Sequence, residues 1–441
     1  MNAPRDERFV DMTVYWCEHA WLPDGVADAV RIEVADGVLV SVAAGSPRAG
    51  TVLNGLVLPG FANCHSHAFH RALRGRTQDE RGTFWTWRER MYELATRLDP
   101  DSYYRLARGV FAEMVLAGHT SVGEFHYLHH APGGRRYRDP NEMSHALARA
   151  AQDAGIRLTL LDTCYLAGGF DRRLDEVQLR FADADAHAWA DRVGSFAPQG
   201  VRVGAAVHSV RAVPFDQLPV VAEWTGPLHV HLSEQRAENA DCLSHHGRTP
   251  TTLLAEAGVL GPRTVAVHAT HLTRDDVGLV ARTGTRVCFC PTTERDLGDG
   301  IGPARELSDA GVGLCLGSDS HAVIDAFEEA RAVELNARLA GEERGRFTMP
   351  ELLAAATAHD TIGWGEAGRL VAGAAADLVV VDLSSVRTAG IEPAAAVFAA
   401  AAADVTDVLI GGRWVVRDRA HQLIEAPETV LGKEIEELWR S

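Results

Sequence analysis

LPGFANCHSHAFH, residues Leu58 to His70, is an apolar run that stops at a His-x-His pair. In a strand, side chains two apart share a face. His65 and His67 can therefore offer ring nitrogens to one ion while Ser66 points away. Alone, such a pair is equally two unrelated polar residues at a strand end. His, Glu and Asp recur at the ends of later apolar runs, and that is the ligand set zinc prefers.

Working outward, eight short apolar runs alternate with helical patterns. They are Leu56 to His67, Thr120 to Tyr127, Leu158 to Tyr165, Val201 to Val210, Pro227 to Glu234, Thr264 to His271, Thr285 to Thr293 and Val312 to Ser320. Between them lie stretches such as YYRLARGVFAEMVLAG and SHALARAAQDAG. Their apolar residues recur three or four apart and a glycine closes the helix. Eight βα units predict an α/β fold, a (β/α)8 TIM-type barrel over residues 59–365. The flanks read differently. TVYWCEHAWL and VRIEVADGVLVSVAAG near the start, and ADLVVVDL and VTDVLIGGRWVVRD near the end, are β-type runs. Pro23-Asp24-Gly25, Asp36-Gly37 and Gly411-Gly412 break them as turns. Both ends are expected to build one small β-sandwich domain, residues 1–58 with 366–441. No repeat of 20 to 50 residues is present beyond the βα alternation.

A formal net charge of -17 excludes nucleic acid and anionic membranes as natural partners, because such a surface repels both. An anionic substrate would need local arginines. MNAPRDERFV has no apolar h-region, and the Ala-rich run Ala394 to Ala403 is too short to span a bilayer. The expected location is the cytoplasm. Seven scattered cysteines fit reduced thiols rather than a disulfide framework. Cys288-x-Cys290 sits inside RVCFCP with no second pair and reads as buried strand rather than half a metal site.

In such barrels the chemistry sits at the C-terminal ends of the strands. The first run ends in His65 and His67, the fifth in His231 and Glu234, the sixth in His268 and the eighth in Asp319. Three imidazoles and a carboxylate make a first shell for a divalent metal with room for a water. The chain has a single lysine, Lys433, near its C-terminus. A carbamylated-lysine bridge between two metals cannot be built inside the barrel. A Glu or Cys bridge stays open, but one metal is the expectation.

HSH at His65 to His67, HLSE at His231 to Glu234, HATH at His268, GSDS around Asp319 and RLVAGAAADLVVVD resemble the mononuclear deaminase branch of the amidohydrolase superfamily. HSHAFHRAL, FWTWRERMY, EFHYLHH and HSVRAV narrow the resemblance to the deiminases that convert N-formimino-L-glutamate and water into N-formyl-L-glutamate and ammonia in histidine degradation. The resemblance covers nearly the whole chain. It implies metal ligands His65, His67, His231 and Asp319, with Zn2+ as the ion, one per chain, or Fe2+ in its place. Catalytic roles fall on Glu234, His268 and Asp319, and substrate contacts on His70, Arg88, Tyr127, His208 and Arg211. His70 stands where the family pattern commonly has glutamine. It is expected to donate from a protonated ring to a substrate carboxylate. The expected partner is a small dianionic molecule, and the expected assembly a homodimer.

The residue types suit that chemistry. A divalent ion lowers the pKa of a bound water to about 7. Asp319 would take the water's proton, His268 would orient the nucleophile, and Glu234 would pass a proton to the substrate nitrogen. Arg88 and Arg211 offer two guanidinium forks for the two carboxylates of a glutamate derivative. Two competing readings stay open. One is a deaminase of a guanine- or triazine-like heterocycle, which would leave both arginines without counterions. The other is a metal-binding scaffold without catalysis.

Overall fold

The computed structural model describes residues 12–78 and 82–440, so the segment MNAPRDERFV lies outside the described residues. In chain order the first strands are β1 (Thr13–Leu22), β2 (Gly25–Ala35), β3 (Val38–Ala43) and β4 (Thr51–Pro59). Eight more follow: β5 (Phe61–Ser66), β6 (His119–His126), β7 (Arg157–Cys164), β8 (Arg202–Val207), β9 (Leu228–Leu232), β10 (Thr264–His268), β11 (Arg286–Phe289) and β12 (Leu314–Leu316). The last are β13 (Leu378–Val381), β14 (Val405–Ile410), β15 (Arg413–Arg417) and β16 (Ala420–His421). Strands β5 to β12 form one parallel sheet in sequential order. Ser66 bridges Asp319 in parallel, with Asp319 N donating to His65 O and His67 N to Asp319 O, so the first and last strands meet and the barrel closes.

The other sheet runs β16-β15-β14-β13-β4-β1-β2-β3 and draws on both ends of the chain. It folds back on itself: Val38 bridges Ala375, and Leu39 N donates to Ala374 O. The expected Gly411-Gly412 hairpin joins β14 to β15. The run Leu56 to His67 is two strands rather than one. It changes sheet at Gly60, where a Cβ would lie 2.2 Å from the Thr120 hydroxyl.

Period-two alternation explains how the two sheets join. In β4 and β13, Leu53, Val57, Leu378 and Val380 face the small sheet's core, while Leu56, Leu58, Val379 and Val381 face the barrel's. Both strands are buried on two sides and therefore read as unbroken apolar runs. At about 25 cal/mol per Å² of apolar area, each such side chain contributes about 1.5–3 kcal/mol when fully buried.

The helices lie where the sequence places them. YYRLARGVFAEMVLAG is most of helix Pro100–Leu116, capped by the Asp99 carboxylate on Ser102 N. SHALARAAQDAG lies in helix Glu142–Ala154, ended by Gly155 at φ 73°, a conformation glycine adopts without a steric penalty. The last helix, Pro427–Arg440, packs on Pro100–Leu116, and Trp439 Nε1 donates to Ala72 O, just past His70. Lys433 lies on this helix, largely exposed and 3.8 Å from Glu437, remote from the barrel interior. Among the described residues no helix is long and apolar enough to cross a membrane.

Candidate metal and catalytic centre

The fold brings His65, His67, His231, His268 and Asp319 together at the C-terminal mouth of the barrel. His65 and His67 both place Nε2 3.4 Å from Asp319 Oδ1, and the Nε2 atoms of His65 and His231 lie 3.1 Å apart. In a tetrahedral site with bonds of ~2.0–2.1 Å, ligand atoms stand about 3.3 Å apart. The spacing therefore fits one small divalent ion.

The ring tautomers fit too. His67 Nδ1 donates to Phe125 O and His231 Nδ1 to His208 O, each at 2.9 Å. That leaves both Nε2 lone pairs aimed at the common point. His65 Nδ1 has no partner among the described residues. Burial, and for His65 and His231 the neighbouring imidazoles, push these candidate ligand histidines below their usual range, with His67 brought to about 4. Neutral imidazole is the form that binds metal. Gly317 completes the fit: a Cβ there would fall 2.7 Å from the Cβ and carbonyl oxygen of His65.

Ser66 turns away from this point, as its register requires. Its hydroxyl donates to Glu124 at 2.5 Å, and Ala68 N donates to the same carboxyl at 2.7 Å. Burial pushes Glu124 up to about 8, against these hydrogen bonds. Glu124 thus braces the turn carrying His65 and His67, a role that motif spacing did not reveal. Backbone strain gathers at the same mouth. Ser233, His268, Ala269, Asp319 and His321 all take positive φ values, between 44° and 69°. Such strain persists only where surrounding structure holds it, and it clusters at functional sites.

His268 Nε2 lies 3.7 Å from Asp319 Oδ2 and 3.8 Å from Glu234 Oε1, and its Nδ1 lies 3.4 Å from Glu294 Oε1. Burial alone would lower His268, but Glu234, Glu294 and Asp319 outweigh it and hold the ring up to about 10. Burial pushes Glu234 up to about 7, although His268 opposes this. A divalent ion beside these groups would draw both downward. Cys290 also reaches this corner, its sulfur grouped with His268 and Asp319. Burial raises its thiol well above the usual range, and Cys288 is enclosed in the barrel interior.

One cavity opens over these groups, lined by His67, His70, Arg88, Tyr127, His208, Arg211, His231, Glu234, His268 and Asp319. All five expected substrate contacts share it with the metal and catalytic candidates. Phe84, Trp87, Met91 and Tyr92 of FWTWRERMY supply apolar wall, together with Tyr165, Phe181 and Leu297, which no motif marked. Arg88 comes from helix Phe84–Arg97 and lies over Trp85 and Tyr92, at 4.6 and 5.3 Å from the ring centres. Its Nε is buried without a partner. Arg211 gives its Nε to Glu238 at 2.6 Å, and Glu238 also accepts from Ser233 N. One edge of that fork is committed and the other is left for a ligand. His208 packs its ring against Tyr127 and Tyr165, while its carbonyl holds His231.

His70 Nε2 pairs with Tyr127 Oη at 2.8 Å, and burial followed by the nearby His67 depresses the ring well below the usual range, although Asp319 raises it. Only Nδ1, buried and unpartnered, is left to meet a ligand.

The chain matches the amidohydrolase family profile over residues 56–415 and that of the "Formimidoylglutamate deiminase HutF, N-terminal domain" over residues 12–51. The second match spans β1 to β3. A formimidoylglutamate deiminase of Pseudomonas aeruginosa is 39% identical over 93% of this chain and 96% of its own length. A 5'-deoxyadenosine deaminase of Methanoregula boonei is 30% identical over 82% of this chain and 80% of its own. Among solved structures, an amidohydrolase from Brucella melitensis superposes with a TM-score of 0.88 at 32% identity, covering 97% of this chain and all of that one. An adenosine deaminase from Xanthomonas campestris with bound zinc shares the fold at a TM-score of 0.82 and 22% identity, over 97% of this chain and 99% of its own. A barrel closed through Asp319, with candidate metal ligands at its mouth, and these matches together make the chain a member of the amidohydrolase family.

Proposed function

We propose that the protein hydrolyses the formimino C–N bond of N-formimino-L-glutamate, yielding N-formyl-L-glutamate and ammonia, as a cytoplasmic step of histidine degradation. The observation that carries this reading is the pairing, in one cavity, of the ligand set with two arginines. Arg88 has a buried Nε without a partner, and Arg211 is held on one edge only. A substrate with two carboxylates supplies a counterion for Arg88 and a partner for the open edge of Arg211, whose other edge is paired with Glu238. A neutral heterocycle would leave the Arg88 charge uncompensated. The deiminase likeness along 93% of the chain supports the same choice.

His65, His67, His231 and Asp319 would hold one Zn2+. Bound there, the ion would supply a water ionised near neutral pH and polarise the amidine nitrogen. Asp319, whose Oδ2 faces His268, is placed to accept the attacking water's proton. Glu234 lines the cavity with Oε1 3.8 Å from His268 Nε2, placed to hold a proton and pass it to the departing nitrogen. His268 faces both carboxylates through Nε2 and orients the nucleophile between them. The apolar wall excludes bulk water and strengthens the arginine contacts.

The test is ammonia release from a panel of formiminoglutamate, formiminoaspartate, guanine and cytosine. Formiminoglutamate should be turned over with the highest kcat/KM. Turnover of guanine or cytosine in preference to it would overturn the reading.

A further inference from the structure

We propose that Glu294 is a positioning residue that sets the orientation of His268. Helix Pro291–Leu297 follows β11 and carries Glu294 into the site from the side away from the cavity. Its carboxyl is buried, 3% exposed, and Oε1 does two things at once: it accepts from Cys290 N at 2.9 Å and lies 3.4 Å from His268 Nδ1. The backbone secures the carrier, with Glu294 N donating to Cys290 O and Asp299 N to Glu294 O. Such an oxygen meets a ring nitrogen that carries hydrogen, so Nδ1 carries one whether or not Nε2 does. Nε2 then faces Glu234 and Asp319, where the reacting groups gather.

The comparison with the ligands makes the point. His67 and His231 give Nδ1–H to backbone carbonyls. His268 has no carbonyl in that position, its backbone is held at φ 69°, and a carboxylate takes the carbonyl's place. Loss of the carboxylate would leave the ring free to rotate about χ2, and Nε2 would then leave its place beside Glu234 and Asp319. Glu294 touches no cavity surface, so it acts through His268 and not on substrate.

This inference rests on the proposed reaction only for its assay substrate. The experiment is a double-mutant cycle of Glu294→Ala and His268→Asn, run on whichever panel compound the wild type deaminates. Glu294→Ala should lower kcat about 10²-fold, the low end of general acid–base effects, with KM changed less than about threefold. Glu294→Gln, which keeps an acceptor oxygen, should recover most of that loss. In the His268→Asn background the alanine change should add less than about threefold, because the residue it positions is gone. A separate readout needs no turnover. In metal-free protein labelled with 15N-histidine, the Nδ1–H signal of His268, identified by its absence in His268→Asn, should vanish in Glu294→Ala and persist in Glu294→Gln. Equal losses of kcat in both backgrounds, or an unchanged Nδ1–H signal in the alanine variant, would overturn the proposal. A wild type inactive on formiminoglutamate but active on another compound would overturn only the substrate.

Discussion

The barrel holds two buried groups of His and Asp with convergent ligand atoms, and they differ in one respect. At the mouth, His65, His67 and Asp319 meet with His268 beside the carboxylate and, among the described residues, no arginine or lysine paired with it. Further round the wall, His126, His129 and Asp162 also meet, equally buried, with His129 Nε2 3.8 Å from Asp162 Oδ1. There Arg192 lies bidentate on Asp162 at 2.9 Å through both terminal nitrogens and also binds Asp183. His129 Nε2 donates to Thr163 O. A dication at that place would sit against a guanidinium within a low-dielectric interior, so Coulomb repulsion disfavours it. The contrast teaches that ligand type and proximity do not make a metal site. The carboxylate must also be unclaimed, and the ring lone pairs must point inward.

The largest effect expected from breaking the first group is Asp319→Asn, which removes a ligand oxygen's charge and the proposed base. kcat should fall by about 10⁴-fold or more with the fold retained by circular dichroism, and near wild-type turnover would refute the assignment. Glu234→Gln should cost about 10² to 10⁴-fold in kcat with metal content unchanged. On the substrate side, Arg211→Met should reduce kcat/KM on formiminoglutamate by about 2–5 kcal/mol, since one carboxylate then lies buried and unpaired. Full efficiency in that variant would mean the clamp is wrong.

For the second group the expected loss is in stability. Arg192→Met should destabilise the fold by about 3–5 kcal/mol, measured by denaturant melts at pH 7, because Asp162 and Asp183 lose their shared cation. The pH dependence has a definite sign. Burial raises Asp183, but His130 and Arg192 outweigh it and hold the carboxyl well below its usual range. A depressed folded pKa contributes stability above the unfolded value of about 3.9 and loses it as pH falls through the folded one. The gap between wild type and Arg192→Met should therefore narrow below about pH 4. A gap constant from pH 7 to pH 3.5 would contradict the ion-pair account.

The smallest effect sharpens the comparison most. His126→Ala should leave about one divalent ion per chain and activity within about twofold. Two ions in the wild type falling to one in this variant would show that the second group binds metal despite Arg192.

Much of this was legible in the chain. The eight apolar runs lie at the eight barrel strands because a strand buried on both faces must be apolar throughout, and the ligands stand out because a polar residue ends such a run. His-x-His declares a shared face through the two-residue period of a strand. Lys433 is a matter of composition, and its remoteness needed no coordinates. The change of sheet at Gly60 was hidden, because β4 is buried on both faces and reads continuously into β5.

Tertiary structure decided what depends on encounters between distant segments. EFHYLHH contains His126 and His129, yet only the fold brings Arg192 onto Asp162, 30 residues away in sequence, and so occupies that carboxylate with a guanidinium while Asp319 meets imidazoles. Likewise only the fold sets His70 against Tyr127 and turns Glu294 under His268. Sequence determines which groups are available and which face of their own element they occupy. Protonation, pairing and vacancy follow from desolvation and from neighbours that only the closed barrel supplies.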